Sequence, residues 1–272
     1  MKNVVDHIPV FLINLDRAPH RLARMDEKLS SLGIAYERFA AIDGRTLPAG
    51  SVEIVAPVES WLGKGRPVVG EVGNFLSHRH LLELIVERGH ERACIIEDDV
   101  DFDPCFPVFL DAKLLWPTGT DVLKLEIAFP EPRVRVMTLG KFGECELVFV
   151  VQGGEPGCAA YIITQEGARK LLPQLRQMTD IFDWQAFSYT RSGLSIAHIL
   201  PLPVWQELAT EMERSKSKQR KRKTRSKRIW HSIRKRWSLL RKRVQEIRFC
   251  LHSHGLKNTV TLIVSPSWRA TR

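Results

Sequence analysis

Short apolar runs and amphipathic segments alternate along the first 210 residues of the chain. Apolar runs bounded by turn residues are typical of buried strands, whereas apolar residues that recur every three or four positions are typical of helices. The predicted strands comprise residues 8–15, 35–41, 93–96, 121–127, 147–151, 157–164 and 195–200. The predicted helices comprise residues 18–32, 75–88 and 165–172.

The order of these elements predicts an α/β fold. The first strand, the first helix and the second strand form a β-α-β unit, in which the two strands run parallel. We therefore expect a mixed, mostly parallel sheet that is flanked by helices. Because the alternation stops near residue 210, residues 1–210 are predicted to form one domain and residues 211–272 a separate C-terminal arm.

Three consecutive acids, Glu97, Asp98 and Asp99, follow the predicted strand at residues 93–96. Burying three carboxylates inside a sheet is costly, so we expect them at the carboxyl end of the strand, where open α/β sheets bind ligands. Side chains alternate along an extended chain, which places Glu97 and Asp99 on one face and Asp98 on the other. Glu97 and Asp99 would then hold a divalent cation that binds a diphosphate. A solvated acidic turn is the alternative.

Two further acids are candidates for a general base. Asp183 is a single acid among large apolar residues in the segment IFDW, at residues 181–184, and such surroundings raise the pKa of a carboxyl group. A helix N-cap or a structural ion pair is the alternative role for Asp183. Glu126, at the end of its own predicted strand, is the competing base.

Polar residues also mark the junction between the first strand and the first helix, a position that favours nucleotide contact. These residues are Asn14, Asp16, Arg17 and Arg21. Arg17 and Arg21 are one helical turn apart, so a solvated helix face explains them equally well. His78 lies in the second predicted helix and could bind the diphosphate, although a surface or capping histidine is favoured.

Basic residues are concentrated in one segment. Residues 214–248 hold 17 of the 41 Lys and Arg residues and a single acid, Glu246. The rest of the chain holds 24 basic and 30 acidic residues, a net charge of −6, although the whole chain carries +10. The protein is therefore predicted to be a mildly acidic body with a strongly basic arm.

The arm also carries a helical pattern of apolar residues. After residues 214–228, the apolar positions recur in steps of three and four, at Trp230, Ile233, Trp237, Leu240, Val244, Ile247 and Leu251. A basic amphipathic helix with Trp on its apolar face is typical of the interface of an anionic membrane, so residues 214–251 are the predicted membrane-binding segment. A helix docked on the body, a coiled-coil seam and an RNA-binding tail are the alternatives.

Cysteine usage and hydropathy favour a cytoplasmic protein. The five cysteines are odd in number and include no Cys-x-x-Cys pair, which favours a reducing compartment. The N-terminus lacks the pattern of a secretory signal, and no run approaches the roughly 20 apolar residues that span a bilayer. We therefore expect a cytoplasmic location, peripheral on the inner face of the membrane.

Several motifs occur in a characteristic order and spacing. They are FLINLDR at residues 11–17 with Arg21, GEVGNFLSH at 70–78, IIEDD at 95–99, GCAAYIIT at 157–164, GARKLL at 167–172, Asp183 and PVWQ at 203–206. Together they resemble glycosyltransferase family 25, which includes lipooligosaccharide and lipopolysaccharide glycosyltransferases and is related to the collagen galactosyltransferases. The resemblance covers about residues 8–207 and departs from the family pattern at Asn74, where a small apolar residue or Cys is expected. On this resemblance, Asp98 would contact the sugar or ribose of a nucleotide-sugar donor.

This resemblance implies a GT-A-type fold, a UDP-sugar donor, Mn²⁺ or Mg²⁺ as cofactor, and inversion at the anomeric carbon. It implies transfer of a hexose, most often galactose, to a lipid-linked lipopolysaccharide or lipooligosaccharide core. Residues 97–99 then correspond to the Asp-x-Asp metal motif. The alternatives are a non-catalytic family member and a nucleic-acid-binding protein that acts through the arm, which the acidic body disfavours.

Overall fold

The computed structural model describes residues 7–55, 58, 65–127, 134–152 and 157–207, together with parts of the C-terminal region. Those parts are residues 244–245, 247–252, 255–257, 259–260 and 267–269. The basic run at 214–228, most of the predicted amphipathic helix and the predicted domain boundary near residue 210 lie outside the described residues.

The described residues contain thirteen strands, and those up to residue 207 contain five α-helices. The strands are β1 (Val10–Asn14), β2 (Glu37–Ala40), β3 (Glu53–Ile54), β4 (Arg92–Glu97), β5 (Val100–Phe102), β6 (Val122–Lys124), β7 (Val134–Phe142), β8 (Cys145–Gln152), β9 (Ala160–Thr164), β10 (Gln177–Met178), β11 (Ile196–Leu200), β12 (Val204–Gln206) and β13 (Ser267–Arg269). The helices are α1 (Pro19–Ser31), α2 (Val69–Glu87), α3 (Gln165–Leu171), α4 (Phe182–Phe187) and α5 (Tyr189–Ser192).

Nine of these strands form one mixed sheet in the order β13-β7-β8-β11-β6-β9-β4-β1-β2. Helices cover the sheet, and the predicted α/β class is confirmed. The share of parallel pairs is smaller than expected, because only β1–β2, β1–β4 and β6–β11 are parallel among the described pairs of this sheet. Strand β9 runs antiparallel between β4 and β6, and β7 and β8 form a hairpin. The hairpin turns at Gly143, whose φ of +53° is a left-handed conformation that favours glycine.

Helix α2 begins six residues earlier than its apolar pattern predicts. The Glu71 side chain accepts a hydrogen bond of 2.8 Å from the backbone N–H of Val68 and so caps the first turn. This early start brings the helix against the chain that follows β2, where a Cβ on Gly73 would lie 2.4 Å from the carbonyl oxygen of Ile42. Glycine at this position therefore allows the amino end of α2 to approach the edge of the sheet.

Apolar side chains cover both faces of the sheet, because successive residues of β1 and β4 point to opposite faces. One face packs against α2, from which Phe75, Leu82 and Ile85 are fully buried, and against α3 and α4. The other face packs against α1 through Met25 and Leu29. Each buried Leu or Ile side chain contributes about 1.5–3 kcal/mol to the free energy of folding. This packing holds the ends of the strands in place relative to the helices.

The described C-terminal residues pack on the β8 side of the sheet. Residues 247–252 are helical, and the Phe249 ring lies 4.8 Å from that of Tyr189. Three residues of the predicted apolar stripe, Val244, Ile247 and Leu251, are 43%, 38% and 39% exposed. One side of this short stretch thus contacts the body while the stripe faces solvent. None of the helices in the described part of the chain is long and apolar enough to cross a membrane.

Candidate active site

The acidic triplet lies at the sheet edge where β1, β4 and β6 end and β9 begins. Strand β4 ends at Glu97, and Asp98 and Asp99 form the turn that leads into β5. A cleft of about 710 Å³ opens at this edge. All three acids line the cleft, as do Arg17, Arg21 and Arg24, which come from α1 and the turn before it, and Asn74 and Ser77 from α2.

Asp98 is engaged within the protein through both carboxylate oxygens. Its Oδ2 accepts a hydrogen bond of 2.6 Å from Asn14 Nδ2, and its Oδ1 lies 2.8 Å from Arg21 Nη2. Burial raises the pKa of Asp98, and the charge of Arg21 opposes this effect. Asp98 and the fully buried Asn14 therefore connect the end of β1 and the start of α1 to the acidic turn.

Asp99 is the acid with spare binding capacity. Its Oδ2 lies 3.2 Å from Arg21 Nη2, whereas its Oδ1 is buried and has no hydrogen-bond partner in the described structure. Burial, followed by the negative charge of Glu97, raises the pKa of Asp99 to about 7. A buried, unpaired carboxylate oxygen beside a second carboxylate fits a hard divalent cation, which would supply both the missing partner and the missing charge.

The predicted alternation of faces stops at the end of β4. Because Asp98 and Asp99 lie in a turn, one guanidinium nitrogen of Arg21 contacts both side chains, so the expectation that Asp98 points away from Asp99 is wrong. Glu97, the last residue of the strand, instead points towards α2 and the residues that precede β9.

Glu97 accepts hydrogen bonds from three side chains. Its Oε1 lies 2.9 Å from Asn74 Nδ2, 3.0 Å from His78 Nε2 and 3.1 Å from Cys158 Sγ. Burial alone would raise the pKa of Glu97, but the hydrogen bond and charge of His78, with the bonds from Cys158 and Asn74, lower it to about 2. These three hydrogen bonds therefore favour the ionised form of Glu97 where it lines the cleft.

His78 is neither a surface nor a capping residue, contrary to the favoured interpretation. It is fully buried, and its ring stacks on that of Phe182 at a centroid distance of 4.3 Å. Its Nδ1 lies 3.0 Å from the hydroxyl oxygen of Tyr161. Each ring nitrogen of His78 therefore has its own partner, and the ring orientation is fixed from both sides.

A second group of buried charges lies deeper, at the ends of β6 and α4. Lys124 is 1% exposed; its Nζ lies 3.2 Å from Glu126 Oε1 and donates to the carbonyl oxygen of Gly157. Glu126 Oε1 also accepts a bond of 3.1 Å from the Ala159 N–H, while its Oε2 is buried without a partner in the described structure. The sequence interpretation missed Lys124, although a lysine inside the apolar run at 121–127 is a recognisable signal.

Asp183 lies in the first turn of α4 and is 5% exposed. Its Oδ1 accepts a hydrogen bond from the Trp184 N–H, and the residue at the N-cap of α4 is Ile181, so the capping alternative does not describe Asp183. Burial raises the pKa of Asp183 to about 7, against the opposing charge of Lys124. Asp183 is thus a carboxyl group poised to exchange a proton near neutral pH.

The remaining candidates lie near the mouth of the cleft. Arg17 Nε binds Asp43 Oδ2 at 2.9 Å, and Asp16 pairs with Arg38 in an exposed position. Arg38 also donates to Asn14 Oδ1 at 3.1 Å. The structure therefore brings all the predicted nucleotide-contact residues to one edge, but only Arg17 and Arg21 among them, with Asp98, line the cleft.

Comparison with known proteins identifies related sequences. A family model described as glycosyltransferase family 25 (LPS biosynthesis protein) matches residues 7–186. The chain is 32% identical to a glycosyltransferase 25 family member of Aedes aegypti over 181 residues, which are 62% of this chain and 28% of that protein. It is 29% identical to procollagen galactosyltransferase 1 of Danio rerio over 197 residues, or 67% and 31% of the two chains.

A further relative carries a different description. The chain is 34% identical to the inactive glycosyltransferase 25 family member 3 of Mus musculus over 172 residues, which are 60% of this chain and 28% of that protein. The chain thus spans less than a third of the length of these curated relatives.

Proposed function

Because the chain belongs to glycosyltransferase family 25, we propose that it transfers a hexose, with galactose as the first candidate, from a UDP-sugar to a saccharide acceptor with inversion at the anomeric carbon. The observation that carries this proposal is the buried, unpaired Oδ1 of Asp99 at the edge of a cleft that is also lined by arginines. Galactose is chosen because the zebrafish relative is named a galactosyltransferase. The mixed sheet, with its site where β1, β4 and β6 end, agrees with the GT-A-type fold that the family implies.

Asp99, through Oδ1, and Glu97 are the residues that would hold a divalent cation, Mn²⁺ or Mg²⁺. When bound, such a cation neutralises the charge that builds up on the departing diphosphate. Asp98 has both oxygens engaged by Asn14 and Arg21, so its role in this proposal is to fix the start of α1 beside the acidic turn.

The arginines of the cleft supply the second source of positive charge. Arg17, Arg21 and Arg24 line the same cleft as the acids, and Arg21 already lies within 3.2 Å of Asp99. Guanidinium groups bind phosphate oxygens with paired hydrogen bonds, so these residues suit the diphosphate of the donor. This arrangement would orient the sugar towards the inner end of the cleft.

Asp183 takes the proton from the acceptor hydroxyl in this proposal. A general base works best when its pKa lies near the working pH, and the pKa of Asp183 is about 7. Glu126 is the competing base. Its Oε1 is engaged by Lys124 and by the Ala159 N–H, while its Oε2 is without a partner in the described structure. Lys124 lies close to both carboxyl groups and stabilises whichever of them is ionised.

The proposed acceptor is the lipid-linked core of lipopolysaccharide or lipooligosaccharide. The description of the matching family model, an LPS biosynthesis protein, supports this choice. The donor is tested by measuring hydrolysis of UDP-galactose, UDP-glucose and UDP-N-acetylglucosamine with Mn²⁺ and with EDTA. We expect Mn²⁺-dependent hydrolysis that is fastest with UDP-galactose.

Binding titrations with the same UDP-sugars and transfer assays with saccharide acceptors accompany the hydrolysis assay, and two of their outcomes would change the proposal. Binding of a UDP-sugar without turnover on any acceptor would make the chain a non-catalytic member, as the name of the mouse relative indicates for that protein. Failure to bind any UDP-sugar would overturn the proposed donor altogether.

Attachment to a membrane is the second part of the proposal. The exposed stripe of Val244, Ile247 and Leu251 would insert into the interface of the inner membrane leaflet, and the basic residues of the arm would bind anionic headgroups. The arm would then hold the cleft close to a lipid-linked acceptor from the cytoplasmic side.

Replacing Val244, Ile247 and Leu251 together with Ser is expected to weaken binding to vesicles of mixed neutral and anionic phospholipid by at least about tenfold, because three apolar side chains leave the interface. Co-sedimentation with vesicles measures the effect. The control is Leu115→Ser, which removes one apolar side chain that is 87% exposed on the body. Unchanged vesicle binding by the triple variant, or binding to RNA in preference to vesicles, would contradict membrane attachment.

A further inference from the structure

Three ligand atoms of different chemical type converge at the inner end of the cleft. His78 Nε2, Glu97 Oε1 and Cys158 Sγ all lie within 4.8 Å of one another. The imidazole nitrogen is 3.0 Å and the sulfur 3.1 Å from the same carboxylate oxygen. An imidazole, a carboxylate and a thiol at such spacing form a donor set that suits a borderline or soft metal ion.

The geometry of this cluster is fixed by its surroundings. The His78 ring is fully buried, stacks on Phe182 with an interplanar angle of 14° and contacts the Tyr161 hydroxyl through Nδ1. This leaves Nε2 directed at Glu97. A hydrogen bond to the second ring nitrogen is the device by which proteins orient metal-binding histidines.

The three residues come from separate elements. His78 lies in α2, Glu97 ends β4, and Cys158 precedes β9, so the packed sheet and helix bring them together before any ligand is present. Glu97 and its neighbour Asn74 line the cleft, whereas His78 and Cys158 lie behind Glu97 and are not among the lining residues. The cluster is therefore preformed, and it meets the proposed donor site at Glu97.

We propose that His78, Glu97 and Cys158 bind a thiophilic divalent cation of the Zn²⁺ class, next to the hard-cation position at Asp99. Three protein ligands leave one tetrahedral position open for water. Hard ions such as Mn²⁺ and Mg²⁺ do not favour a thiolate, so the two positions select different metals. Cys158 is the residue that makes this selection.

Three bonds to the metal replace the hydrogen bonds within the cluster. The Cys158 thiol now donates to Glu97 Oε1, and His78 Nε2 lies 3.0 Å from the same oxygen. On binding, the S–H bond breaks, the sulfur donates its electron pair to the cation, and the proton leaves to solvent. The neutral imidazole binds through the lone pair of Nε2, so its N–H proton lies on Nδ1, where the Tyr161 hydroxyl oxygen accepts it. No oxidant or reductant takes part.

One consequence rests on the proposed function. Glu97 belongs to both cation positions, so a Zn²⁺ ion bound to His78, Glu97 and Cys158 withdraws Glu97 from the Mn²⁺ ion that would bind the diphosphate. Zn²⁺ is then an inhibitor of transfer whose action requires Cys158.

Co²⁺ is the probe that tests the site directly, because a cobalt–thiolate bond produces an intense charge-transfer absorption in the near ultraviolet. We expect the full-length chain to show this absorption at one equivalent of Co²⁺ and to lose it when Zn²⁺ is added. Cys158→Ser should abolish the absorption. Cys105→Ser should retain it, since Cys105 packs with a different apolar cluster, next to Phe106.

A measurement on the unaltered chain covers the case in which Cys158→Ser does not fold. Zn²⁺ should slow alkylation of Cys158 by at least about tenfold, as read by mass spectrometry, and leave Cys105 unaffected. Absence of the cobalt–thiolate absorption, its survival in Cys158→Ser, or equal alkylation with and without Zn²⁺ would overturn the proposal.

These readouts do not depend on sugar transfer. A cobalt–thiolate absorption in a protein that binds no UDP-sugar would establish the site and contradict the proposed function. UDP-sugar hydrolysis by a protein without that absorption would support the proposed function and contradict the metal site.

Discussion

Asp99→Asn is expected to lower kcat/KM for sugar transfer by about 10³-fold, because removing the charge of a metal ligand forfeits several kcal/mol of stabilisation of the leaving diphosphate. Asn keeps the size of the side chain and can still contact Arg21, which lies 3.2 Å from Asp99 Oδ2. The loss therefore reports on cation binding more than on packing. Initial rates at several Mn²⁺ concentrations measure it, and excess Mn²⁺ should restore little of the activity.

The matched control for Asp99→Asn is Asp101→Asn. Asp101 lies two residues further along the chain, its side chain is 41% exposed, and it pairs with Lys28 at 3.3 Å. This variant also removes one negative charge near α1, but from a residue that does not line the cleft in the described structure. Near-normal turnover by Asp99→Asn, or equal losses in both variants, would refute the assignment of Asp99 as a metal ligand.

Asp183→Asn is expected to reduce kcat by about 10²–10⁴-fold while the affinity for UDP stays the same, because only proton removal from the acceptor is lost. Single-turnover rates and UDP titrations separate the two effects. Glu126→Gln is the companion variant, and it should affect turnover less. If Asp183→Asn stays active while Glu126→Gln does not, Glu126 is the base and Asp183 has a structural role.

The same Asp183→Asn variant has a predictable effect on stability. The pKa of Asp183 is about 7 in the folded chain and about 4 in the unfolded chain. Between about pH 4 and about pH 7 the folded chain therefore keeps a proton on Asp183 that the unfolded chain has lost. Stability therefore falls as the pH rises from about 4 to about 7, and this loss is absent from the Asn variant. Urea unfolding should show Asp183→Asn to be more stable than the native chain by about 1–3 kcal/mol above pH 7, with the gain disappearing near pH 4.

The place of the acidic triplet could be predicted from the sequence because its cause is local. An apolar run that ends in three acids favours a strand that stops at the acids, because carboxylates are costly to place inside a sheet. The β-α-β order of the first elements predicts that β1 and β2 run parallel, which their pairing confirms. Strand β4 pairs parallel on the other side of β1, so its end falls at the same edge, although the sequence did not predict this neighbour. The motifs of the family resemblance added the expected chemistry of this edge without its geometry.

The contacts within the site could not be predicted in the same way. Alternation failed between Asp98 and Asp99 because the exact end of β4 decides whether the strand rule applies. The burial of His78 depends on Tyr161 and Phe182, which are far away in sequence and reach it only because β9 inserts antiparallel beside β4. An apolar run does not show whether a strand runs parallel or antiparallel to its neighbours. The alternation of strands and helices favoured parallel pairing, so a mostly parallel sheet was expected.

The buried charges illustrate the same limit. The lysine in the β6 segment is visible in the sequence, but its bond to the carbonyl oxygen of Gly157 requires the fold of a distant segment. Asp183 was accessible to sequence reasoning because its own neighbours, Phe182 and Trp184, are apolar and burial is the first cause of its raised pKa. Groups whose environment is set by adjacent residues are thus easier to interpret than groups set by tertiary contacts.

The proposed function depends on a cation that Asp99 and Glu97 hold against the donor diphosphate. Calorimetric titration of UDP into the native chain and into Asp99→Asn, each with Mn²⁺ and with EDTA, tests for this cation. We predict that Mn²⁺ strengthens UDP binding by the native chain at least about tenfold and has no effect on Asp99→Asn. Equal UDP affinity with Mn²⁺ and with EDTA, or the same Mn²⁺ effect in both proteins, would contradict the proposed cation site.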